Sequence, residues 1–290
     1  MSFLGDSCHK LQIPMLEENG MASKFITLAA VAALVSSTAW ASDTVRNPLL
    51  PGETWEELRY DVVGDAPLAS ADDVLTIEAP FRAHDAATVP IILRQVEGSA
   101  PISTATVVID ENPAPIAAVF GFTPAMGLLD FEMRVRVNQY SNVRVIAQTP
   151  DGLHMAGRFV KASGGCSAPA TKDPEIALAG MGKMKLRTFD SGAQMSTPRR
   201  EAQIMIRHPN YSGLQRDQIT QLFIPAHFID HIEVWQDDEL LFTMDGGISI
   251  SENPVFRFAY NDNGSTALTV KATDTDGNEF EKILPKSVSG

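Results

Sequence analysis

Cysteine is nearly absent from this chain. There are two in 290 residues, Cys8 and Cys166. Aromatics are also scarce, at 7%. The apolar fraction of 44% is nonetheless ordinary, so a core of normal size is available and disorder throughout is excluded. Positive charge is under-represented, with 23 Lys and Arg against 36 Asp and Glu, for a formal net charge of -13. Nothing there neutralises phosphates, so neither nucleic acid nor anionic lipid is expected as a partner. The acidity reads as a device for solubility. Long apolar runs are missing: 25–35 holds 11 residues interrupted only by Thr27, and no later run is longer. A bilayer span needs about 20, so no membrane span is expected. No P-loop, G-x-G-x-x-G or G-x-S-x-G pattern occurs. Asp245-Gly246-Gly247 is followed by no helix pattern and reads as a turn rather than a phosphate cradle.

What is present begins with a leader. Residues 1–20 read as an upstream extension. From Met21, Lys24 precedes the apolar run, and Ala39-Trp40-Ala41 supplies an A-x-A cleavage site. This is the pattern of a secretory signal peptide and predicts export to the periplasm. Cleavage after Ala41 also removes Cys8, which leaves Cys166 as one cysteine with no internal partner. A single thiol in an oxidising compartment points to reactivity or intermolecular pairing.

The chain divides by pattern. In 42–71, which is rich in proline and acid, Thr54 and Glu57 have the spacing of a capping box, with Trp55, Leu58 and Val62 on one helical face. Short alternating or β-branched runs follow at 74–77, 89–93, 104–109, 116–122, 131–137, 142–148 and 155–160, punctuated by turn residues. Residues 161–182 are dominated by small residues and proline and read as a linker. Strand patterns resume at 184–189, 202–207, 218–223, 231–235, 240–244, 248–251, 255–260, 267–272 and 280–284. Hairpin-like turns are predicted at 236–238, 262–264 and 276–278. The expected fold is all-β: a sandwich over 42–160, a cysteine-bearing arm over 161–182 and a second sandwich over 183–290. The two halves are expected to pack together through an apolar interface.

Gly164-Gly165-Cys166 is the sharpest chemical feature. Two glycines remove bulk and free the backbone before the thiol. Apolar neighbours are absent on both sides, so the thiol is expected to be displayed rather than buried. Lys161 and Lys172 bracket the arm and would favour the thiolate. The bland alternative is a small buried hydrophobe. His227 and His231 are four apart, which on a helix would place two metal ligands on one face. Their flanks read as strand, however, so no metal is expected, and His84, His154 and His208 read as surface or hydrogen-bonded histidines. A Cys166–histidine hydrolase dyad has no support from spacing, and a flexible arm is a poor platform for one.

Residues 73–166 resemble SoxY, the sulfur-carrying subunit of bacterial sulfur oxidation, through VLTIEAPFRAHDAATVPIIL, VVIDENPAPIAAVFGF, RVRVNQYSNVRVIAQTPDG and VKASGGC. Residues 201–284 resemble its partner SoxZ through IRHP, IPAHFI, ENPVFRFAY and DTDG. Together they look most like the fused SoxYZ-like carriers associated with quinoprotein (PQQ-dependent) dehydrogenases. The resemblance implies two immunoglobulin-like sandwiches. It also implies a non-catalytic carrier with no cofactor, whose Cys166 holds a sulfur intermediate covalently on an arm made flexible by Gly164 and Gly165. Its partners would be periplasmic sulfur-oxidation enzymes or a quinoprotein dehydrogenase. Two departures are visible: Ser167 and Ala168 follow the cysteine where the family has two glycines, and the chain continues into a second domain where the family arm ends. Two other readings stay open, an accessory module without covalent cargo and a thiol enzyme or redox protein.

Overall fold

The structure, a computed structural model, describes residues 49–169, 178–189 and 198–286. The leader, Lys172 and the central part of the linker lie outside the described residues.

The first half holds helix α1 (Glu53–Val63), strands β1 (Leu68–Ser70), β2 (Leu75–Glu78), β3 (Val89–Gln95), β4 (Thr104–Ile109) and β5 (Ile116–Phe122), a 3-10 turn (Pro124–Met126), and strands β6 (Asp130–Val135), β7 (Ser141–Thr149) and β8 (Gly152–Val160). The second holds β9 (Met184–Phe189), β10 (Arg199–Ile206), β11 (Ile229–Gln236), β12 (Glu239–Gly246), β13 (Val255–Asn261), β14 (Ala267–Asp274) and β15 (Glu279–Pro285). The period-2 runs become strands because alternate residues face the core: Val89, Ile91 and Leu93 of β3 are buried while Pro90 and Arg94 are exposed.

The strands form two sheets, and each sheet crosses from one half to the other. The nine-stranded sheet runs β1-β8-β7-β4-β5-β12-β11-β14-β15, and the six-stranded sheet runs β2-β3-β6-β13-β10-β9. Phe122 faces Phe242 and Phe120 faces Met244 where β5 pairs with β12, while Phe131 faces Phe258 where β6 pairs with β13. The two expected sandwiches are therefore fused edge to edge. Four strand edges that would otherwise be exposed satisfy one another's backbone groups. Six phenylalanines fill the seam between the sheets, with Phe131 placed 5.0 Å from Phe120, 5.1 Å from Phe242, 5.4 Å from Phe122, 6.0 Å from Phe256 and 6.4 Å from Phe258. Ring pairs at such spacing add to the area they bury.

Helix α1 is too short to be stable alone. It is held by Trp55, Leu58 and Val62, which pack with Val108 and Ile146 on the outer face of β4 and β7, as the predicted apolar face requires. The capping box does not form. The cap position is Gly52, and Thr54 lies inside the first turn, where its hydroxyl donates to Glu111 Oε1 at 2.7 Å. Two predicted strands are absent. Residues 218–223 form an exposed loop, with Ile219 88% accessible, and 248–251 contribute only the Val135–Ile250 bridge. The turns at 236–238 and 276–278 close hairpins, but 262–264 carries the chain from one sheet to the other. Among the described residues no helix is long and apolar enough to cross a membrane.

Candidate functional site

After β8 the chain does not swing free. Lys161 pairs with Arg82 in a short parallel bridge, and its N–H donates to Phe81 O at 2.8 Å. Gly164 N–H then donates to Asn138 O at 2.8 Å and Gly165 N–H to Val137 O at 3.0 Å, so the segment is tied to the stretch that follows β6. A tight turn closes with Ser167 N–H on Gly164 O at 3.2 Å. Gly164 has φ +80, a conformation side chains disfavour. A side chain at Gly165 would overlap the Ala86 carbonyl and sit 2.7 Å from the Val137 carbonyl. Gly164 thus serves the positive φ of the turn and Gly165 the close packing of the stowed segment.

Cys166 is consequently a free thiol with 0% exposure. This overturns the expectation of a displayed sulfur. The residues next to Cys166 in sequence do not decide this, because the partners that enclose the segment come from Ala86, from Val137 and Asn138 after β6, and from the second half. Ser212 Oγ donates to Cys166 O at 2.5 Å, and Gln215 Nε2 donates to Ala168 O at 2.9 Å. Both belong to the loop between β10 and β11, whose base is closed by the reciprocal Tyr211–His227 backbone pair. Farther out, Arg216 stacks on Phe223, and the Asp217 carboxylate gathers the N–H groups of Ile219 and Thr220. Between this loop and Ser167 lies a cavity of about 270 Å³.

Burial pushes the thiol up to about 11, and the charge of Arg136 offsets this only in part. The sulfur is therefore protonated at neutral pH and a poor nucleophile in this seat. Lys161, expected to favour the thiolate, instead lies 4.7 Å over the Phe81 ring. The cation that does bear on the thiol is Arg136, which sequence reasoning missed because it sits 30 residues upstream inside a strand pattern. It is 1% exposed, and it donates from Nε to Ile250 O at 3.3 Å and from Nη2 to Asn210 O at 3.0 Å. Buried polar neighbours complete this end of the molecule. Asn112 Nδ2 donates to Arg136 O and Ser249 Oγ, both at 2.8 Å, and Ser251 Oγ donates to Ala87 O at 2.7 Å.

A second cluster also escaped the sequence reading. His208, His227 and Asp274 bring their ligand atoms within 4.8 Å of one another. His208 Nδ1 accepts from Asn210 N–H at 3.0 Å, so its proton is on Nε2, 3.2 Å from Asp274 Oδ2. His227 Nε2 reaches the same oxygen at 2.8 Å, and Asn278 donates to both carboxylate oxygens. Metal-bound histidines use the free ring nitrogen as a donor. Here that nitrogen of His208 is an acceptor, so the cluster fits a hydrogen-bond network better than a metal site. Burial lowers the His208 pKa. Burial alone would raise Asp274, but the bonds from Asn278, His227 and His208 win and hold it at about 2. His231, four residues from His227, lies on β11 with its Nδ1 2.7 Å from Asp245 Oδ1 and takes no part in the cluster.

Residues 59–166 match the family described as sulfur oxidation protein SoxY, and 191–284 match sulphur oxidation protein SoxZ. The first match ends on Cys166. Among solved structures, the sulfur carrier protein SoxY from Chlorobium limicola f thiosulfatophilum is similar at 24% identity and a TM-score of 0.32, over 37% of this chain and 94% of that one. No curated protein matches the chain.

Proposed function

Because this chain belongs to the SoxY and SoxZ families, with one domain of each fused in a single polypeptide, we propose that it is a periplasmic carrier in which Cys166 holds a sulfur intermediate covalently. It would present that intermediate to partner enzymes of sulfur oxidation. The observation that carries this reading is the place of Cys166. It is the last residue of the SoxY match and the free thiol of the described residues, and it is held at the junction of both halves by Ser212 and Gln215. The seat suits a storage state: a protonated, enclosed sulfur is shielded from adventitious oxidation. Presentation then requires the 208–228 loop to release its two hydrogen bonds, so the 161–169 segment acts as a stowed arm. Among the described residues no hydrogen bond from a base reaches the thiol, which supports leaving chemistry on the cargo to the partners.

The complete burial of Cys166 favours a second reading, an accessory module for a quinoprotein dehydrogenase in which the cysteine is only a packed residue. Intact-protein mass spectrometry of the exported protein, with and without reductant, separates the two. The carrier reading expects a reductant-sensitive increment on Cys166 and loss of pathway activity in Cys166→Ala. An unmodified thiol that is inert to thiosulfate, sulfide and polysulfide, with full activity in Cys166→Ala, would leave the accessory module.

A further inference from the structure

Arg136 is a buried cation without a buried anion. Among the described residues no carboxylate forms an ion pair with it; its hydrogen bonds go to two neutral carbonyls, Ile250 O and Asn210 O. Glu252 and Asp85 act on it only at longer range, and less strongly than Cys166. Removing a guanidinium from water costs several kcal/mol unless a charge of opposite sign compensates. The two carbonyls take two of its five N–H groups and leave its charge uncompensated.

The register of the chain shows where the compensation belongs. Gly165 N–H is bonded to the carbonyl of Val137, next to Arg136, and Cys166 O to Ser212, two residues from the Asn210 that Arg136 reaches, so Cys166 and Arg136 share one neighbourhood. Tyr211, next to Ser212, adds a buried hydroxyl with no partner and shares Glu252 with Arg136 as a charged neighbour. In the resting protein the thiol is neutral and leaves Arg136 uncompensated. A sulfur group that is anionic at its outer end, such as a sulfonate or a persulfide (a stronger acid than a thiol), supplies the missing charge.

We infer that Arg136 is a positioning residue for cargo, which selects an anionic sulfur group on Cys166 and holds it in the enclosed seat in preference to neutral or cationic adducts. The inference rests on the carrier reading and adds the residue that recognises the cargo. It also assigns SoxY-half Arg136 a role that the Gly-Gly-Cys motif does not contain. The guanidinium reaches both SoxZ-half loops through Asn210 and Ile250, so neutralising it tightens the closure over the sulfur. The anion therefore stabilises the stowed arm.

The test uses the full chain with three adducts on Cys166. The thiolate displaces thiosulfate from tetrathionate and leaves a bound S–SO3⁻ group. It displaces methanesulfinate from the hydroxyethyl and aminoethyl methanethiosulfonates, leaving neutral and cationic mixed disulfides. Each product is verified by mass before thermal unfolding. We expect the Tm order anionic, neutral, cationic, with about 4 °C or more between the first and last, and the same order for the rate at which a phosphine reductant removes the adduct, slowest for the anion. Arg136→Lys retains the order and Arg136→Gln abolishes it. Equal Tm values for the three wild-type adducts, or an order unchanged in Arg136→Gln, would overturn the inference while leaving the carrier reading intact. If Arg136→Gln does not fold, the wild-type series alone decides. The adducts are formed in denaturant and the chain refolded, so burial of the thiol does not limit the reaction; a chain that refolds with none of the three adducts would remove the carrier reading and this inference with it.

Discussion

The SoxY and SoxZ halves of this chain meet in two places, and the two junctions are built from opposite materials. Across β5–β12 and β6–β13 the contact is phenylalanine on phenylalanine, with backbone groups satisfied by strand pairing. At the cysteine end it is made by Arg136, Asn112, Asn210, Ser212, Ser249 and Ser251, all buried and hydrogen-bonded. Apolar packing is non-directional and indifferent to pH. Buried polar contacts are directional and costly when a partner is lost. The first junction can therefore hold the halves together permanently, while the second can open locally without unfolding the sandwich. Under the proposed carrier role, a thiol that is both guarded and presented belongs at the second.

Breaking the apolar junction should cost most. Phe131→Ala removes a fully buried ring that touches Phe120, Phe242, Phe256 and Phe258, and is expected to destabilise by about 3–5 kcal/mol in denaturant melts. A loss below about 1 kcal/mol would mean the halves are held mainly at the polar end.

Acid should sharpen the contrast. Asp274 is held at about 2 against an ordinary 3.8, so its contribution is present above pH 4 and lost as pH falls through 2. Two units correspond to about 2–3 kcal/mol. His208, lowered by burial, contributes while neutral and begins to lose that contribution as pH falls below 6.5. Urea midpoints should therefore decline from pH 7 to pH 2, and Asp274→Asn should flatten the lowest part of that decline. Phe131→Leu should shift the whole curve down without changing its slope. A slope unaffected by Asp274→Asn would place the acid sensitivity elsewhere.

The smallest effect belongs to the latch itself. Ser212→Ala deletes the bond to Cys166 O and is expected to cost about 1 kcal/mol locally. The alkylation rate of Cys166 should rise about fivefold, with global stability changed by no more than that amount. Unchanged alkylation would show that the seat, and not the loop, controls access.

Much of the fold was legible. The runs at 104–109, 116–122 and 184–189 became β4, β5 and β9 residue for residue, because β-branched and aromatic alternation reports a half-buried strand. The helix at Trp55, Leu58 and Val62 followed from its apolar face. The run at 218–223 has the same apolar character as a strand, yet it finds no sheet edge and remains a loop. For the site, Gly164, Gly165 and Cys166 were legible as special residues, but not as a packed turn. Arg136, Ser212 and Gln215 carry no local signature, and neither does the pairing of His208 with His227 and Asp274, residues up to 66 apart.

The sequence by itself determined the class of the protein: alternation and turn residues act over a few positions, and they suffice to make two β-sandwiches with one distinctive cysteine between them. Only the tertiary structure decided that the sheets run on through both halves and that the thiol is enclosed beside a buried guanidinium. Burial and charge are set by residues far apart in the chain, and a glycine that could flex is instead held wherever backbones approach too closely for any side chain.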